Sequence, residues 1–412
     1  MTLCAECTKA DGCSKDADAQ TFKVPTGSCF SPLQEFPDDG EVWGEFDVLD
    51  ECNRGFLIRT FYSSNDGSCV NATDSYKLEY DTCLGPFGEP RPWGVFTCDD
   101  TTTQFDDYLS SFDISIPTFE YATRLSIFNA NIDLIDSHNE LYESGKKTFS
   151  LKLNKFAHLT DDEFKAAYTT FSGEVPAVST STKSSLSSRD EPIDWVIKGA
   201  VTPIGDEAAC IGACWAFAAS SAIESARFIN TGSLSLLSTQ QLVNCVYPNL
   251  DSCSRGGDMD AAFEWVKKNG GLCSAEDWSY DGTAEHQGPC TNSCMSASHS
   301  EVASVVKVPQ SEQALIEAIA KQPVVAAIQG LKGPFKFYES GVLTGECGND
   351  LDHGVLVVGW GVDEETGVEY WKIKNDFGRS WGEEGYVRLE KGGGKGLGMC
   401  GLYMSLSYPV LA

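Results

Sequence analysis

Three side chains have the types needed for nucleophilic chemistry: Cys214, His353 and Asn375. Cys214 stands directly before Trp215 in "EAACIGACWAF" and heads the run "CWAFAASSAIESARFIN". Trp215, Ala218, Ala219, Ala222 and Ala226 are spaced for a buried helix. A thiol at a helix N-terminus is favoured as thiolate by the unpaired N–H groups and the dipole. In a cysteine-rich chain the commoner fate is a buried or disulfide-bonded cysteine, so the reading needs a partner base. A thiolate nucleophile pairs with an imidazole. Of the five histidines, His138 and His158 lie in a helical region before a Ser/Thr-rich stretch. His286 and His299 lie in a polar, cysteine-containing stretch, whereas His353 opens the apolar run of "LDHGVLVVGWG". Asn375 ends the apolar run of "YWKIKNDFGRSWGEEGY", where a neutral amide can fix the orientation of an imidazole.

The elements that must hold these residues come from a chain too long for one typical domain: 412 residues, 42% hydrophobic. Seventeen cysteines against five histidines favour disulfides over metal sites and an oxidising compartment. Cys4 and Cys7 form a tight pair with no partner pair at zinc-finger spacing. Eight cysteines fall in residues 1–98 and nine from Cys210 onward, so the second set leaves one thiol over unless a bond crosses regions. The start, "MTLCAECTKADGC", has neither a basic head nor an apolar core, so a leader removed from the mature chain is expected. No apolar run reaches the length of a membrane span. A net charge of −30, from 30 basic and 60 acidic residues, argues against nucleic acid and anionic membranes as partners. Asn71 begins a glycosylation acceptor, Asn71-Ala72-Thr73.

Four segments follow. Residues 1–110 read as a small disulfide-rich β module, with strands in "EVWGEFDVLD", "RGFLIRTFY" and "SYKLEY". Residues 111–171 are helical: Phe119, Leu125, Phe128, Ile132 and Ile135 share a face, with Thr118 as N-cap. A second helix opens on a capping box formed by Thr160 and Glu163. Residues 172–191 are a Ser/Thr-rich exposed linker that proteases would reach, and 192–412 form a compact domain.

At this point a resemblance is clear. "DWVIKGAVTP", "GACWAFAA", "LSTQQLVNC", "LDHGVLVVGWG", "WKIKNDFGRSWGEEGYVRL" and "CGLYMSLSYPV" occur in the order found in papain-family, cathepsin L-like cysteine proteases. His353 and Asn375 follow Cys214 by roughly 140 and 160 residues, against about 130–150 for that family. Glu120, Arg124, Phe128, Asn131, Ile135 and Asn139 match the interspersed pattern of the family's I29-type inhibitory propeptide. "KLNKFAH" matches its companion motif at Asn154 and Phe156, with Lys152 for glycine and His158 for aspartate.

The resemblance implies an α+β, two-lobed fold: a helical lobe carrying Cys214 and a β-barrel-like lobe carrying His353 and Asn375. It implies a zymogen of an endopeptidase without metal or cofactor, acting on protein and peptide substrates, with its own propeptide running through the cleft in reverse. Cystatin-like inhibitors, a monomeric state and a secretory destination (lysosome, vacuole or extracellular) are further expectations. It implies the disulfides Cys210–Cys253, Cys245–Cys290 and Cys347–Cys400; Cys273 and Cys294 remain to pair, and Cys214 is the thiol left over. Gly256 and Gly257 match the pair whose backbone binds extended substrate. Met259, Ala327, Leu351, Gly354 and Ser405 would line an S2 pocket for a hydrophobic P2 residue. Trp381, with Phe377 in place of a usual tryptophan, would shield the His353–Asn375 bond.

One stretch departs from the family. Three residues, not two, separate Cys210 from Cys214, which puts Glu207, or in another register Ala208, where the family has an oxyanion-binding glutamine. That donor is worth about 3–4 kcal/mol. Ionised Glu207 would repel the oxyanion and protonated Glu207 could donate to it, so activity at acid pH is expected. The alternatives are an impaired relative serving as a binding or storage protein, and a binding module in residues 1–110 with the protease as cargo.

Overall fold

The computed structural model describes residues 101–168, 171, 173 and 191–412, except 284–285, 292–293, 331–332 and 346. It also describes the segments 2–4, 19–21, 29–30, 47–53, 56–63, 68–79, 83–84 and 93–95. Most of the Ser/Thr-rich linker, 172–191, lies outside the described residues, as do the side chains of most N-terminal cysteines; Cys69 is disulfide-bonded. The chain divides into two compact units, Met1–Asn129 and Ala130–Ala412.

The first unit holds two four-stranded sheets. β1 (Thr2–Cys4), β2 (Ala19–Thr21), β7 (Cys83–Leu84) and β8 (Trp93–Val95) pair in the order β2-β1-β8-β7. β3 (Cys29–Phe30), β4 (Asp47–Asn53), β5 (Phe56–Tyr62) and β6 (Ala72–Glu79) form a plain meander. The β-branched and aromatic content of "FLIRTFY" suits it to the centre of that meander. The unit does not stay β to residue 110, because α1 (Thr101–Ser111) is a helix that the sequence analysis does not predict. Its Phe105 and Tyr108 are buried against Phe128 of α2 (Tyr121–Glu143), at ring separations of 5.1 and 4.8 Å. Thr118 is not the N-cap of α2. Pro117 holds an extended ψ of 139°, Thr118–Glu120 make one 3₁₀ turn, and α2 begins at Tyr121. Phe119 accordingly points to solvent, 85% exposed.

In the second unit the remainder of α2 leads to β9 (Phe149–Leu151) and α3 (Asp161–Tyr168). α3 starts on a reciprocal capping box: Thr160 N–H donates to Glu163 Oε2 at 2.9 Å, and Glu163 N–H donates to Thr160 Oγ1 at 3.1 Å. After β10 (Ile193–Asp194) come α4 (Cys214–Thr231), α5 (Thr239–Cys245) and α6 (Met259–Asn269). α4 is nearly all buried from Cys214 to Ala226, because its alanines let the neighbouring elements approach closely. Gly232 ends it in the left-handed conformation, its N–H returning to Phe228. The rest is β11 (Val302–Lys307), α7 (Glu312–Ile319), β12 (Val324–Ile328), β13 (Tyr338–Leu343), β14 (His353–Val362), β15 (Glu369–Lys374), β16 (Tyr386–Glu390) and β17 (Leu406–Leu411). These strands form a sheet ordered β11-β17-β12-β14-β15-β16-β13-β9, with β10 on β14. The core joins both lobes: Trp215, Ala219, Ile223 and Phe263 from the helices meet Val325, Ala327, Leu356 and Val358 from the sheet.

Four disulfides staple this unit: Cys210–Cys253, Cys245–Cys290, Cys273–Cys294 and Cys347–Cys400. They are the three pairs implied by the resemblance and the one left to pair. Cys214 is outside them.

Candidate active site

Cys214 is the first residue of α4 and is fully buried. The preceding turn has no side-chain cap, so the helix presents its backbone N–H groups to the thiol region. Gly354 N–H donates to Cys214 Sγ at 3.4 Å, which places the sulfur beside the start of β14. A Cβ on Gly354 would lie 3.3 Å from Trp215 Cα and 3.0 Å from Met259 Sδ, so the lobes meet here through a missing side chain. His353, the residue before, is also fully buried. Its Nε2–H donates to Asn375 Oδ1 at 2.7 Å, which leaves Nδ1 with no hydrogen-bond partner. Asn375 follows β15 and is tied down by its own N–H to the Gly385 carbonyl. Burial pushes His353 down to about 4, and the Asn375 hydrogen bond opposes that shift.

Aromatic rings cover this hydrogen bond in layers. Phe377 lies against His353 at 5.0 Å, and Trp381 packs edge-on against Phe377 at 5.5 Å. Trp381 Nε1 donates to the Phe335 carbonyl at 3.2 Å. Phe377 is therefore the direct shield and Trp381 the support behind it.

The loop before α4 turns Glu207 inward, 1% exposed, and Ala208 outward at a φ of +49°. Glu207 is anchored by its backbone: its N–H donates to the Asp376 carbonyl at 3.0 Å, and its carbonyl accepts from Tyr280 Oη at 2.7 Å. Neither carboxyl oxygen has a hydrogen-bond partner. Burial first, and the neighbouring Asp376 second, raise its pKa well above the usual carboxylate range. Sequence reasoning missed Asp376. It follows Asn375 directly, is 4% exposed, and its Oδ1 lies 3.6 Å from His353 Nε2. Its place next to a candidate residue was the only signal available.

Met259, Ala327, Leu351, Gly354 and Ser405 come together. Ala327 faces Gly354 in the β12–β14 register, Ala327 N–H donates to the Ser405 carbonyl at 3.1 Å, and Leu351 packs on the same core as Met259. Gly256 needs its hydrogen side chain at φ 65°, ψ −159°. A Cβ on Gly257 would come within 2.5 Å of the Trp215 ring. Asn71 is far from this chemistry in sequence; it is exposed, just ahead of β6.

Residues 130–168, with Phe171, lie along the same site. β9 adds to the sheet edge at β13, Gly341 opposite Phe149; a side chain on Gly341 would come within 2.3 Å of the Thr148 carbonyl. Asn131 Nδ2 donates to the Ala157 and Leu159 carbonyls, and Asn139 bonds Leu151 in both directions. In the first unit Arg124 pairs with Glu120 at 2.9 Å. Asn154 Nδ2 reaches the Lys336 carbonyl at 2.7 Å, while Lys336 Nζ donates to the Leu159 carbonyl. Phe156 and Phe164 then set their rings on Phe377, at 5.3 and 6.0 Å. Further on, Phe171 bridges Gly257 in parallel, and its N–H donates to the Asp352 carbonyl. Replacing the fully buried Phe156 by alanine removes a propeptide ring that packs on Phe377, the shield of His353. Inhibition by the propeptide is expected to weaken at least about 30-fold, measured as Ki against the released enzyme.

A buried thiol at a helix N-terminus thus lies beside an oriented imidazole, and Phe156 and Phe164 pack on the ring that covers the imidazole. Residues 190–410 match the papain family cysteine protease, and residues 105–164 match the cathepsin propeptide inhibitor domain (I29). The chain is 40% identical over 300 residues to the senescence-specific cysteine protease SAG39 of Oryza sativa subsp. indica, covering 70% of this chain and 84% of that one. It is 41% identical over 302 residues to cysteine proteinase EP-B 1 of Hordeum vulgare, covering 70% and 78%. Among solved structures, the proform of the ragweed pollen allergen Amb a 11, a cysteine protease, superposes with a TM-score of 0.66 at 32% identity, covering 77% and 96%. The recombinant stem bromelain precursor gives 0.65 at 30%, covering 76% and 99%. The chain belongs to the papain family of cysteine proteases and carries that family's inhibitory propeptide.

Proposed function

We propose that the released enzyme cleaves peptide bonds internally through Cys214, His353 and Asn375. The observation that carries this reading is the His353 Nε2–Asn375 Oδ1 hydrogen bond, set beside a thiol at a helix N-terminus. Cys214 gives its proton to His353 Nδ1, and the thiolate attacks the peptide carbonyl. The oxyanion meets the Cys214 backbone N–H and the protonated carboxyl of Glu207. His353 then protonates the leaving amine, and later takes a proton from the water that hydrolyses the acyl-enzyme. Met259, Ala327, Leu351, Gly354 and Ser405 carry no charge, which supports a hydrophobic P2 preference; cleavage of a peptide library mainly after P2 arginine would count against it.

In the zymogen the covering rings keep His353 dry and neutral, so the ion pair is suppressed as well as blocked. On this reading residues 1–100 are a separate module, 101–171 the inhibitory propeptide with α1 included, 172–191 the activation segment and 192–412 the enzyme. The disulfides and the exposed Asn71 support a glycosylated protein of the secretory pathway.

The test is incubation of the full chain at pH 4–5 and at pH 7, following mass and labelling by an epoxide thiol-protease probe. Conversion to a fragment beginning near Glu191, labelled at Cys214 only under acid, is expected. A chain that stays unlabelled even after an added protease removes the propeptide would mean an impaired relative with a binding or storage role.

A further inference from the structure

Two buried carboxyl groups share the floor of this site, and only one of them is used in the reaction described above. Glu207 and Asp376 are joined by backbone: Glu207 N–H donates to the Asp376 carbonyl, and Asp206 and Phe377 form an antiparallel bridge. All four of their side-chain oxygens are buried without a hydrogen-bond partner. Uncompensated buried carboxylates are costly, and two neighbouring ones cannot readily ionise together. The pair therefore carries protons, and its titration belongs to the pair rather than to either residue.

We propose, given the Cys214–His353 reading, that Asp376 is a positioning residue for His353: in the released enzyme its carboxylate faces Nε2 and holds the imidazolium, while Glu207 keeps the proton the pair retains. The geometry favours this division of charge. Asp376 Oδ1 stands 3.6 Å from His353 Nε2, so an imidazolium draws the negative charge to Asp376. The proton left on Glu207 is then a donor for the oxyanion. A cavity of about 10 Å³ lies between Asp376, Asn375, Lys374, Ser221 and Gly354, with room for about one water to solvate the carboxylate.

The charged and titratable groups around Asp376 fit the switch. Asp206 and Glu207 on the loop before α4 disfavour a second negative charge, while Tyr280 beside them stays a neutral phenol whose pKa burial and these carboxyl groups raise. Lys374 on β15 and His353 on β14 favour it. Lys155 of the propeptide, paired with Asp206 at 2.9 Å, leaves with the strap. Burial dominates in the closed state and keeps Asp376 protonated. When the cleft opens, that proton passes to solvent, and the thiol proton of Cys214 moves to His353.

The experiment is the pH dependence of Cys214 alkylation by iodoacetate, on the full chain converted by limited proteolysis within residues 174–190. The anionic reagent is drawn by the imidazolium charge, so imidazolium loss sets the alkaline limb of that profile. Asp376→Asn is expected to move this limb down by about 1–3 pH units, as removal of an opposite charge at this range does. Asp376→Glu is expected to restore it. Asp376→Ser, smaller and uncharged, serves if the asparagine variant misfolds. A limb that stays in place while rates merely fall would overturn the proposal and leave Asp376 a structural residue. If the unmodified chain shows no thiolate-like profile at Cys214, the underlying reading fails instead.

Discussion

Cys214→Ala is expected to abolish hydrolysis: kcat/KM falls by at least about 10⁴-fold, because the nucleophile and its base act as one unit. The same variant should stay full length at pH 4–5, where the unmodified chain shortens. The fold should survive the change. Cys214 Sγ accepts a long bond from Gly354 N–H and takes part in no disulfide. The substitution removes one sulfur from the helix start and leaves the stapling bonds Cys210–Cys253 and Cys347–Cys400 intact. Loss of all epoxide labelling with an unchanged circular dichroism spectrum is the expected pair of results. Residual hydrolysis above about 1% of the original would place the nucleophile elsewhere. Shortening of Cys214→Ala under acid, with no protease added, would mean that another group cuts the linker.

Much of this site could be read from residue order alone, for a physical reason. Cys214 and Asn375 lie at the ends of strongly patterned elements, a small-residue helix and an apolar strand, and His353 starts another. Elements with one dominant pattern advertise themselves, and groups at their ends inherit fixed positions. The capping box at Thr160 was legible for the same reason, since it is a local hydrogen-bond exchange. Asp376 was not legible: a carboxyl group between two aromatic-flanked residues reads as surface until the fold shows it buried. α1 was equally hidden, because Phe105 and Tyr108 find their partner Phe128 only after the chain has turned through Pro117. The Glu207 register was left open by sequence, and backbone conformation separates the two candidates. Ala208 takes the left-handed φ and the solvent side, and Glu207 goes in.

Glu207→Gln is expected to change kcat/KM little at pH 4–5 and to hold it level where the unmodified chain, as pH rises through the folded Glu207 pKa, loses up to about 10²–10³-fold. The magnitude is that of one oxyanion-hole donor. The sign follows from the proton. Burial, then Asp376, then Asp206 raise the Glu207 pKa, with Lys155 opposing them in the closed state. The neutral, donating form thus persists above the ordinary carboxylate range and is lost as pH rises through the folded value. Below that point the acid and the amide both donate; above it the carboxylate repels the oxyanion and the amide still donates. Stability should fall over a window that opens lower, at the unfolded pKa. A carboxyl whose folded pKa lies above its unfolded one contributes stability that is full below the unfolded value and declines as pH rises towards the folded value. Glu207→Gln lacks that decline, so its Tm should exceed that of the unmodified chain at pH 7 and match it more closely near pH 4. Parallel pH–rate profiles for the two proteins would show that Glu207 has no contact with the oxyanion. A gain in Tm without a gain in rate would separate the burial of the group from its chemistry, and would place the acid preference on the Asp376–His353 pair instead.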